Sequence, residues 1–129
     1  MSDIYASTRF VPQHETDSSS EQIIEEVETA AKRGSAEAQY LLAKMYDVGD
    51  NMEQSLSKAE KWYQLSAKQG YTDAQLALGR LYMSQRECVN AIKWYEIAAK
   101  GGNKYAQYIL GKIYEAGIED GKPNYIKAV

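Results

Sequence analysis

Apolar and small residues recur along this chain at the three- to four-residue spacing of helices that bury one face. Glycine closes several of these stretches, at Gly34, Gly70 and Gly102. Because glycine readily adopts the left-handed conformation that ends a helix, each of the three predicts a helix end just before it. The predicted helices are Glu21–Arg33, Ala36–Val48, Leu56–Gln69, Thr72–Gln85, Cys88–Lys100 and Asn103–Ala116, with a short final helix beginning near Asn124.

Polar residues mark several of the predicted helix starts. Thr72 and Gln75 have the spacing of a capping box, and Asn103 is a favourable N-cap. The serines at 18–20 stand just before Glu21 and predict the first N-cap. Residues 1–20 are polar and serine-rich, so we expect a flexible N-terminal tail.

The chain contains an internal repeat of two alternating blocks. The first block starts at Gly34, Gly70 and Gly102, at offsets of 36 and 32 residues. Its identical columns are Gly34/Gly70/Gly102, Ala38/Ala74/Ala106, Gln39/Gln75/Gln107, Leu42/Leu78/Leu110 and Tyr46/Tyr82/Tyr114. Each repeat therefore holds a first helix, called helix A here, and a second, helix B.

The second block forms helix B and appears in two full copies, 58–70 and 90–102. The matching pairs are Ala59/Ala91, Trp62/Trp94, Tyr63/Tyr95, Ala67/Ala99 and Gly70/Gly102. A half copy precedes the first repeat at 30–34, and Lys127 and Ala128 match Lys58 and Ala59 at the end of the chain.

Small residues at fixed positions predict close helix packing. One helix A column contains Ala43, Gly79 and Gly111. Glycine destabilises a helix, so its presence in two copies indicates that the paired helix approaches closely at this position. The Trp62/Trp94 and Tyr63/Tyr95 columns are expected to fill the gaps between repeats. No repeat can bury these faces alone, so the repeats must stack.

These blocks resemble the Sel-one-like repeat, a relative of the tetratricopeptide repeat. The family pattern is present at Ala74, Leu78, Gly79 and Tyr82 in helix A. In helix B it is present at Ala91, Trp94, Tyr95, Ala98, Ala99 and Gly102. The resemblance implies an all-α, right-handed α-solenoid of antiparallel helix pairs, with about three repeats of which the last is incomplete. Residues 21–129 would form one repeat domain, with repeats near 34–69, 70–101 and 102–129 after a half-repeat helix at 21–33. It also implies a non-catalytic role as a protein-interaction adaptor.

Three departures from the family pattern affect this expectation. The first repeat has Ala43 where the family prefers glycine, and the loop at 83–87 lacks the usual glycine. The third repeat stops soon after Lys127 and Ala128. If nothing covers this open end, Ile109 and Ile113 are exposed there. We therefore expect either self-association into a homo-oligomer or a C-terminal segment packed as a cap.

Composition narrows the classes of function. The net charge of −3 argues against nucleic acid as a partner. No apolar run reaches the ~20 residues of a membrane span, and the start of the chain has no signal-peptide pattern, so a cytoplasmic protein is expected. The single cysteine, Cys88, excludes an internal disulfide. Eleven tyrosines against one phenylalanine favour rings that are buried while their hydroxyls stay in water.

No cofactor, metal or catalytic site is predicted. The one histidine, His14, lies in the expected tail, and Cys88 is best explained as an ordinary residue at a loop edge. Carboxylates at Glu25, Glu26 and Glu28 indicate a solvated helix face. The segment at 117–121 lacks the ligand pattern of a calcium-binding loop.

The face of helix A opposite the core is expected to line the concave surface and to bind a partner. A helical wheel of about 100° per residue places four columns on this face. They are Glu37/Asp73/Tyr105, Tyr40/Leu76/Tyr108, Lys44/Arg80/Lys112 and Asp47/Met83/Glu115. Aromatic and aliphatic residues on one turn and cations on the next predict a groove for a protein or peptide segment with acidic groups and apolar anchors. Alternatively, the three cations are simply good helix formers on a solvated face.

Three functions are consistent with these features. The leading one is an adaptor or scaffold in a bacterial-type complex. The second is an inhibitor, such as an immunity protein that blocks a toxin or effector. The third, an enzyme, needs a pocket of coupled titratable groups, and the chain offers no histidine or cysteine constellation for one.

Replacement of Lys44, Arg80 and Lys112 together by glutamate tests the cationic column. If the column attracts acidic groups, the triple variant loses binding of the native partner, because attraction becomes repulsion. Its circular dichroism should match the wild type, since glutamate is also a good helix former. Binding that survives in the triple variant would show that the column plays no part.

Overall fold

Six helices, each packed mainly against its neighbours in sequence, form the fold. The structure is a computed structural model and describes residues 17–119 and 122–123. The helices are α1 (Asp17–Lys32), α2 (Ala36–Val48), α3 (Leu56–Lys68), α4 (Thr72–Ser84), α5 (Cys88–Lys100) and α6 (Lys104–Glu115). Helix A corresponds to α2, α4 and α6, and helix B to α1, α3 and α5. This successive packing of helix hairpins confirms the predicted all-α solenoid of repeats.

Most helix bounds agree with the predicted ones to within a residue, and the largest difference is at the start of α1. This helix begins at Asp17 instead of Glu21, so the N-cap predicted at the serines 18–20 is wrong. The predicted tail falls mainly on residues 1–16, and the final helix predicted near Asn124 falls on 124–129. Both segments lie outside the described residues.

Side-chain caps begin three of the helices. The hydroxyl of Ser35 accepts from the backbone N–H of Ala38 at 3.1 Å, and Ser55 begins α3 in the same way. Asn103 Oδ1 accepts from the N–H of Ala106 at 2.8 Å, which confirms the predicted N-cap. At the other helix ends, Gly34, Gly70 and Gly102 have φ of 104°, 92° and 97°, the left-handed conformation that was predicted.

The capping box predicted at Thr72 and Gln75 is wrong. Tyr71 stands at the N-cap position and makes no side-chain cap bond, and Thr72 is already helical. Gln75 is buried and turned toward the preceding helix, where its amide donates to the carbonyl of Ala67 at 3.2 Å. The Gln75 side chain thus makes a tertiary hydrogen bond instead of the local cap that the sequence pattern predicted.

The same glutamine contact recurs in every repeat. Each glutamine of the Gln39/Gln75/Gln107 column donates to a carbonyl near the end of the preceding helix B. The acceptors are Ala31 at 3.1 Å, Ala67 at 3.2 Å and Ala99 at 3.2 Å. Each of these carbonyls also accepts from the N–H of the glycine that ends its helix. The glutamine amide is thus a second donor to the carbonyl, and it ties helix A to the end of the preceding helix B. It explains why this column is identical in all three copies.

The tyrosine column also joins helix A to the preceding helix B. Tyr82 donates its hydroxyl proton to Glu60 Oε2 at 2.5 Å and accepts from Gln64 Nε2 at 2.8 Å. Tyr114 donates to Glu96 Oε2 at 3.0 Å. Each bond contributes about 1 kcal/mol or somewhat more, because the acceptor is a carboxylate.

Small residues allow the close approach between paired helices that the sequence predicts. Ala43, Ala59 and Ala91 are fully buried in the core. A Cβ built on Gly79 would lie 2.6 Å from Cζ of Tyr95, too close for any side chain. At the equivalent Gly111, no described atom lies within 4 Å of the built Cβ.

The loop at 83–87 turns without the glycine that the family uses there. Arg86 adopts the left-handed conformation instead, with φ of 63°. Its N–H donates to the carbonyl of Met83 at 3.0 Å, and the N–H of Glu87 donates to that of Tyr82 at 2.8 Å. Two backbone bonds thus support a conformation that is unfavourable for arginine by itself.

A small hairpin that the sequence did not predict follows α6. Strands β1 (Ile118–Glu119) and β2 (Lys122–Pro123) pair antiparallel, with Ile118 opposite Pro123. Strand β1 contacts both α5 and α6. Ile113 is buried in the main core and Ile109 is half-buried against it, so the exposure expected of an uncovered end is not found at Ile113.

Gly79 and Gly111 form a matched pair for testing the packing. Gly79→Ala should lower the free energy of unfolding by about 1–2 kcal/mol, because the cost of overpacking against Tyr95 exceeds the gain in helix propensity. Gly111→Ala should raise it by up to about 1 kcal/mol, since the methyl group meets no atom of the described residues. Urea unfolding of both variants measures the two changes, and equal signs would contradict this account of the small-residue column.

Candidate functional site

Tyrosine rings cluster where α2, α3 and α4 meet. The ring of Tyr40 lies 5.3 Å from that of Tyr71 and 6.0 Å from that of Tyr63, between centroids, and is tilted to both. These separations are within the range of favourable aromatic contacts. Tyr40 and Tyr71 are half-buried, whereas Tyr63 is fully buried beneath them.

Helix A of the third repeat, α6, also carries tyrosines on this face. Tyr105 and Tyr108 on α6 are 52% and 59% exposed, among the most exposed apolar residues in the described part of the chain. We call Tyr40, Tyr71, Tyr105 and Tyr108 the tyrosine surface, and the buried pair Tyr63 and Tyr95 its floor.

Burial keeps the phenols of this cluster in their neutral, proton-donating form. It is the main cause that raises the pKa of Tyr40, Tyr71, Tyr63 and Tyr95 above the usual value. For Tyr63 the hydrogen bond to Asp47 adds to the effect. The cluster therefore offers apolar rings and O–H donors that stay protonated well above neutral pH.

Arg80 is the cation whose charge acts on several tyrosines of the cluster and its floor. Its positive charge acts on the pKa of Tyr40, Tyr63 and Tyr95, and opposes the increase that burial causes in each. The side chain is exposed and makes no ion pair or hydrogen bond with the described part of the chain. Its guanidinium donors are therefore available to a ligand.

The other two members of the cationic column lie on the rings of the neighbouring column. Lys44 Nζ is 5.6 Å from the ring centroid of Tyr40, and Lys112 Nζ is 5.6 Å from that of Tyr108. Each contact is worth about 0.5–1 kcal/mol at an exposed site. Leu76 replaces the tyrosine in α4, so Arg80 has no such ring beneath it.

The remaining predicted residues differ in how accessible they are. Asp47 accepts from the hydroxyl of Tyr63 at 2.9 Å, so its carboxylate is already engaged. Leu76 and Met83 are half-buried and pack against the core. Glu115 is exposed and lies 3.8 Å from Lys112 in an ion pair. The predicted columns thus divide into residues that hold the helices together and residues that a partner can reach.

Tyr63, Tyr71 and Tyr95 were not predicted as part of this site. The repeated Trp-Tyr pattern assigned Tyr63 and Tyr95 to packing, which their burial bears out, but their hydroxyls reach the same cluster as Tyr40. The excess of tyrosine over phenylalanine was the signal that these positions need a hydroxyl as well as a ring.

A second exposed apolar column lies on helix B. Leu65 on α3 and Ile97 on α5 occupy equivalent positions and are 41% and 38% exposed. Exposed lysines stand four residues before each, at Lys61 and Lys93. This column is aliphatic, whereas that of helix A carries tyrosines, which makes it a useful reference surface.

The described residues show few features of a metal site, a catalytic site or a membrane-spanning segment. Within residues 17–119, no group of three histidine, cysteine or carboxylate side chains is arranged to hold a metal ion. Cys88 is partly exposed at the first residue of α5, and His14 lies outside the described residues. A wide, open depression of about 820 Å³ lies along α1 and the turn after it. No helix in the described part has both the length and the apolar character that a bilayer crossing requires.

Comparison with protein families identifies the class of protein. The Sel1 repeat model matches three consecutive segments, residues 36–71, 72–103 and 104–129. These segments lie within two residues of the repeat starts predicted from the sequence. The chain belongs to the Sel1 repeat family, and the resemblance inferred from its motifs is confirmed. No curated protein sequence matches the chain at a significant level.

Two solved structures are similar in fold and sequence. One is a protective antigen of uropathogenic Escherichia coli with an SLR fold, at 34% identity and a TM-score of 0.71. The match covers 78% of this chain and 22% of that protein, so the present chain spans about a fifth of its length. The other is a Sel1 repeat protein from Oxalobacter formigenes, at 33% identity and a TM-score of 0.66, with 82% of this chain and 83% of that one covered. Sel1 repeat proteins generally act as protein-interaction modules.

The two floor tyrosines make a second matched pair for mutation. Tyr63→Phe should lower the free energy of unfolding by about 1–2 kcal/mol, because it leaves the half-buried carboxylate of Asp47 without its donor. Tyr95→Phe should change it by less than about 0.5 kcal/mol, since the Tyr95 hydroxyl makes no hydrogen bond with the described residues. Thermal and urea unfolding at neutral pH measure both, and an equal loss in the two variants would show that Tyr95 also has an internal partner.

Proposed function

We propose that this chain is a non-catalytic adaptor or scaffold that binds a segment of a partner protein across its tyrosine surface. The observation that carries this proposal is the exposure of Tyr105 and Tyr108, more than half of each residue, on the helix A face that also carries the half-buried Tyr40. Tyrosine is enriched at protein interfaces because its ring buries a large area with little loss of side-chain entropy.

The partner segment is expected to carry both apolar and acidic groups. The rings provide apolar area, and the neutral phenols provide O–H donors. Lys44, Arg80 and Lys112 stand beside the rings and favour acidic groups. Glu37, Asp73 and Glu115 are exposed on the same helices, so the surface has mixed charge and would select the position of each acidic group.

The helix B column at Leu65 and Ile97 is the competing surface. Its side chains are less exposed than Tyr105 and Tyr108, and it offers no aromatic ring or hydroxyl donor. Because aromatic anchors carry most of the energy in many interfaces, the tyrosine surface is favoured.

Site-specific photocrosslinking distinguishes the two surfaces. A benzophenone amino acid replaces Tyr105 or Tyr108 in one set of variants and Leu65 or Ile97 in the matched control set. In cells that express the chain natively, irradiation should join a partner to the first set and not to the second. All four positions are solvent-exposed, so the fold should tolerate each replacement.

Two outcomes would overturn the proposal. Crosslinks confined to Leu65 and Ile97 would place the partner on helix B. The absence of any protein adduct from Tyr105 and Tyr108, with intact circular dichroism, would show that the tyrosine surface is not a binding site.

A further inference from the structure

The two floor tyrosines occupy equivalent positions but have different surroundings. Tyr63 and Tyr95 are the same column of helix B and are both buried. The hydroxyl of Tyr63 donates to a carboxylate of its own chain, Asp47 Oδ2, at 2.9 Å. In the next repeat Met83 stands where Asp47 stands in the first. A thioether cannot replace a carboxylate as a strong acceptor.

The Tyr95 hydroxyl therefore lacks the internal acceptor that Tyr63 has. Tyr95 is only 3% exposed, and its hydroxyl makes no hydrogen bond with the described part of the chain. A buried donor without an acceptor is costly, and such groups in folded proteins are usually satisfied by water or a ligand. This cost is a reason to look for a ligand at this position.

The position of the Tyr95 ring is tightly fixed. Its Cζ, which bears the hydroxyl, lies 2.6 Å from a Cβ built on Gly79, so the ring rests directly on the backbone of α4. Arg80 is the next residue, and Met83 follows one helical turn later on the same helix. The hydroxyl is thus held beside the start of an arginine side chain that has no ionic partner among the described residues.

We propose that Arg80 and Tyr95 together bind a single carboxylate, the side chain of a glutamate or aspartate in the partner segment. The ligand would do for Tyr95 what Asp47 does for Tyr63: its carboxylate accepts the Tyr95 O–H, and it also accepts from the N–H donors of Arg80. Arginine is well suited to this because its planar guanidinium offers paired donors to a carboxylate.

The charges nearby favour a group with one negative charge. Asp73 lies close enough to Tyr40 to raise its pKa, and Glu37 and Asp73 act in the same way on Tyr71. A doubly charged phosphate would meet more repulsion from these carboxylates than a carboxylate would, with only one arginine to offset it. The first repeat supports the same choice, since its own internal group is a carboxylate.

This inference rests on the proposed function, because the carboxylate belongs to the segment bound on the tyrosine surface. The probe is N-acetyl-glutamate N-methylamide, whose one charge is its side-chain carboxylate, and the uncharged glutamine analogue is the control. Each is titrated into the full chain at constant ionic strength. Chemical shifts of the Arg80 Nε–H group and the Gly79 amide report binding at the site.

The wild type should bind the glutamate probe at least about tenfold more tightly than the glutamine analogue, with saturable shifts at Arg80 and Gly79. Tyr95→Phe and Arg80→Gln should each remove that preference while unfolding at an unchanged urea concentration. Met83→Asp should also remove the preference for the glutamate probe, because the new aspartate gives Tyr95 the internal acceptor that Tyr63 has in the first repeat. Lys93→Gln removes an exposed cation of the helix B reference column and should retain the preference.

The results separate this site from the wider proposal. Equal binding of the two probes, or a preference that survives in Tyr95→Phe and Met83→Asp, would overturn the carboxylate site. Crosslinks from Tyr105 and Tyr108 could still be obtained in that case, and the tyrosine surface would then bind its partner without this contact.

Discussion

The close contact between a helix B tyrosine and a small residue of helix A is the constraint on which the rest of the structure depends. Tyr95 lies on Gly79 with no room for a Cβ, and the equivalent Ala43 is fully buried. A larger residue would push the paired helices apart and open the core, because close-packed interiors do not absorb extra volume. The same contact sets the depth of the tyrosine hydroxyl, and so determines which groups of helix A the hydroxyl can reach.

Tyrosine serves three purposes in this fold, and its hydroxyl distinguishes them. In the Tyr82 and Tyr114 column it bonds to glutamates of the preceding helix and fixes the stacking of repeats. On the floor it reaches toward helix A and is either satisfied internally or left for a ligand. On the tyrosine surface the ring itself is exposed. Phenylalanine would pack as well in the first two places but would remove the bonds of Tyr82, Tyr114 and Tyr63.

The features that could be predicted from the sequence are those set by local chemistry or by the repeat. Helices α2 and α5 have their predicted bounds, since glycines and N-caps act within a few residues. The failures involve contacts between elements. The helical wheel predicted the helix face on which Lys44 and Lys112 lie. It did not predict that each ammonium group would lie over a tyrosine ring of the same helix. Gln75 bonds to a carbonyl of the preceding helix instead of capping its own, and a hairpin outside the repeat pattern follows α6.

Departures from the repeat are where recognition can be encoded in a molecule of this kind. Columns that are identical in all copies, such as the glutamines, are needed at every junction and cannot distinguish one partner from another. The Asp47/Met83 column is different, because it decides whether the tyrosine above it is satisfied by the chain itself. In the first repeat the hydroxyl of Tyr63 bonds to Asp47. In the second repeat Tyr95 occupies the equivalent position against helix A, but Met83 provides no such acceptor. In a site formed in this way the tyrosine is already fixed before the ligand arrives, so the ordering cost of binding falls on the arginine side chain.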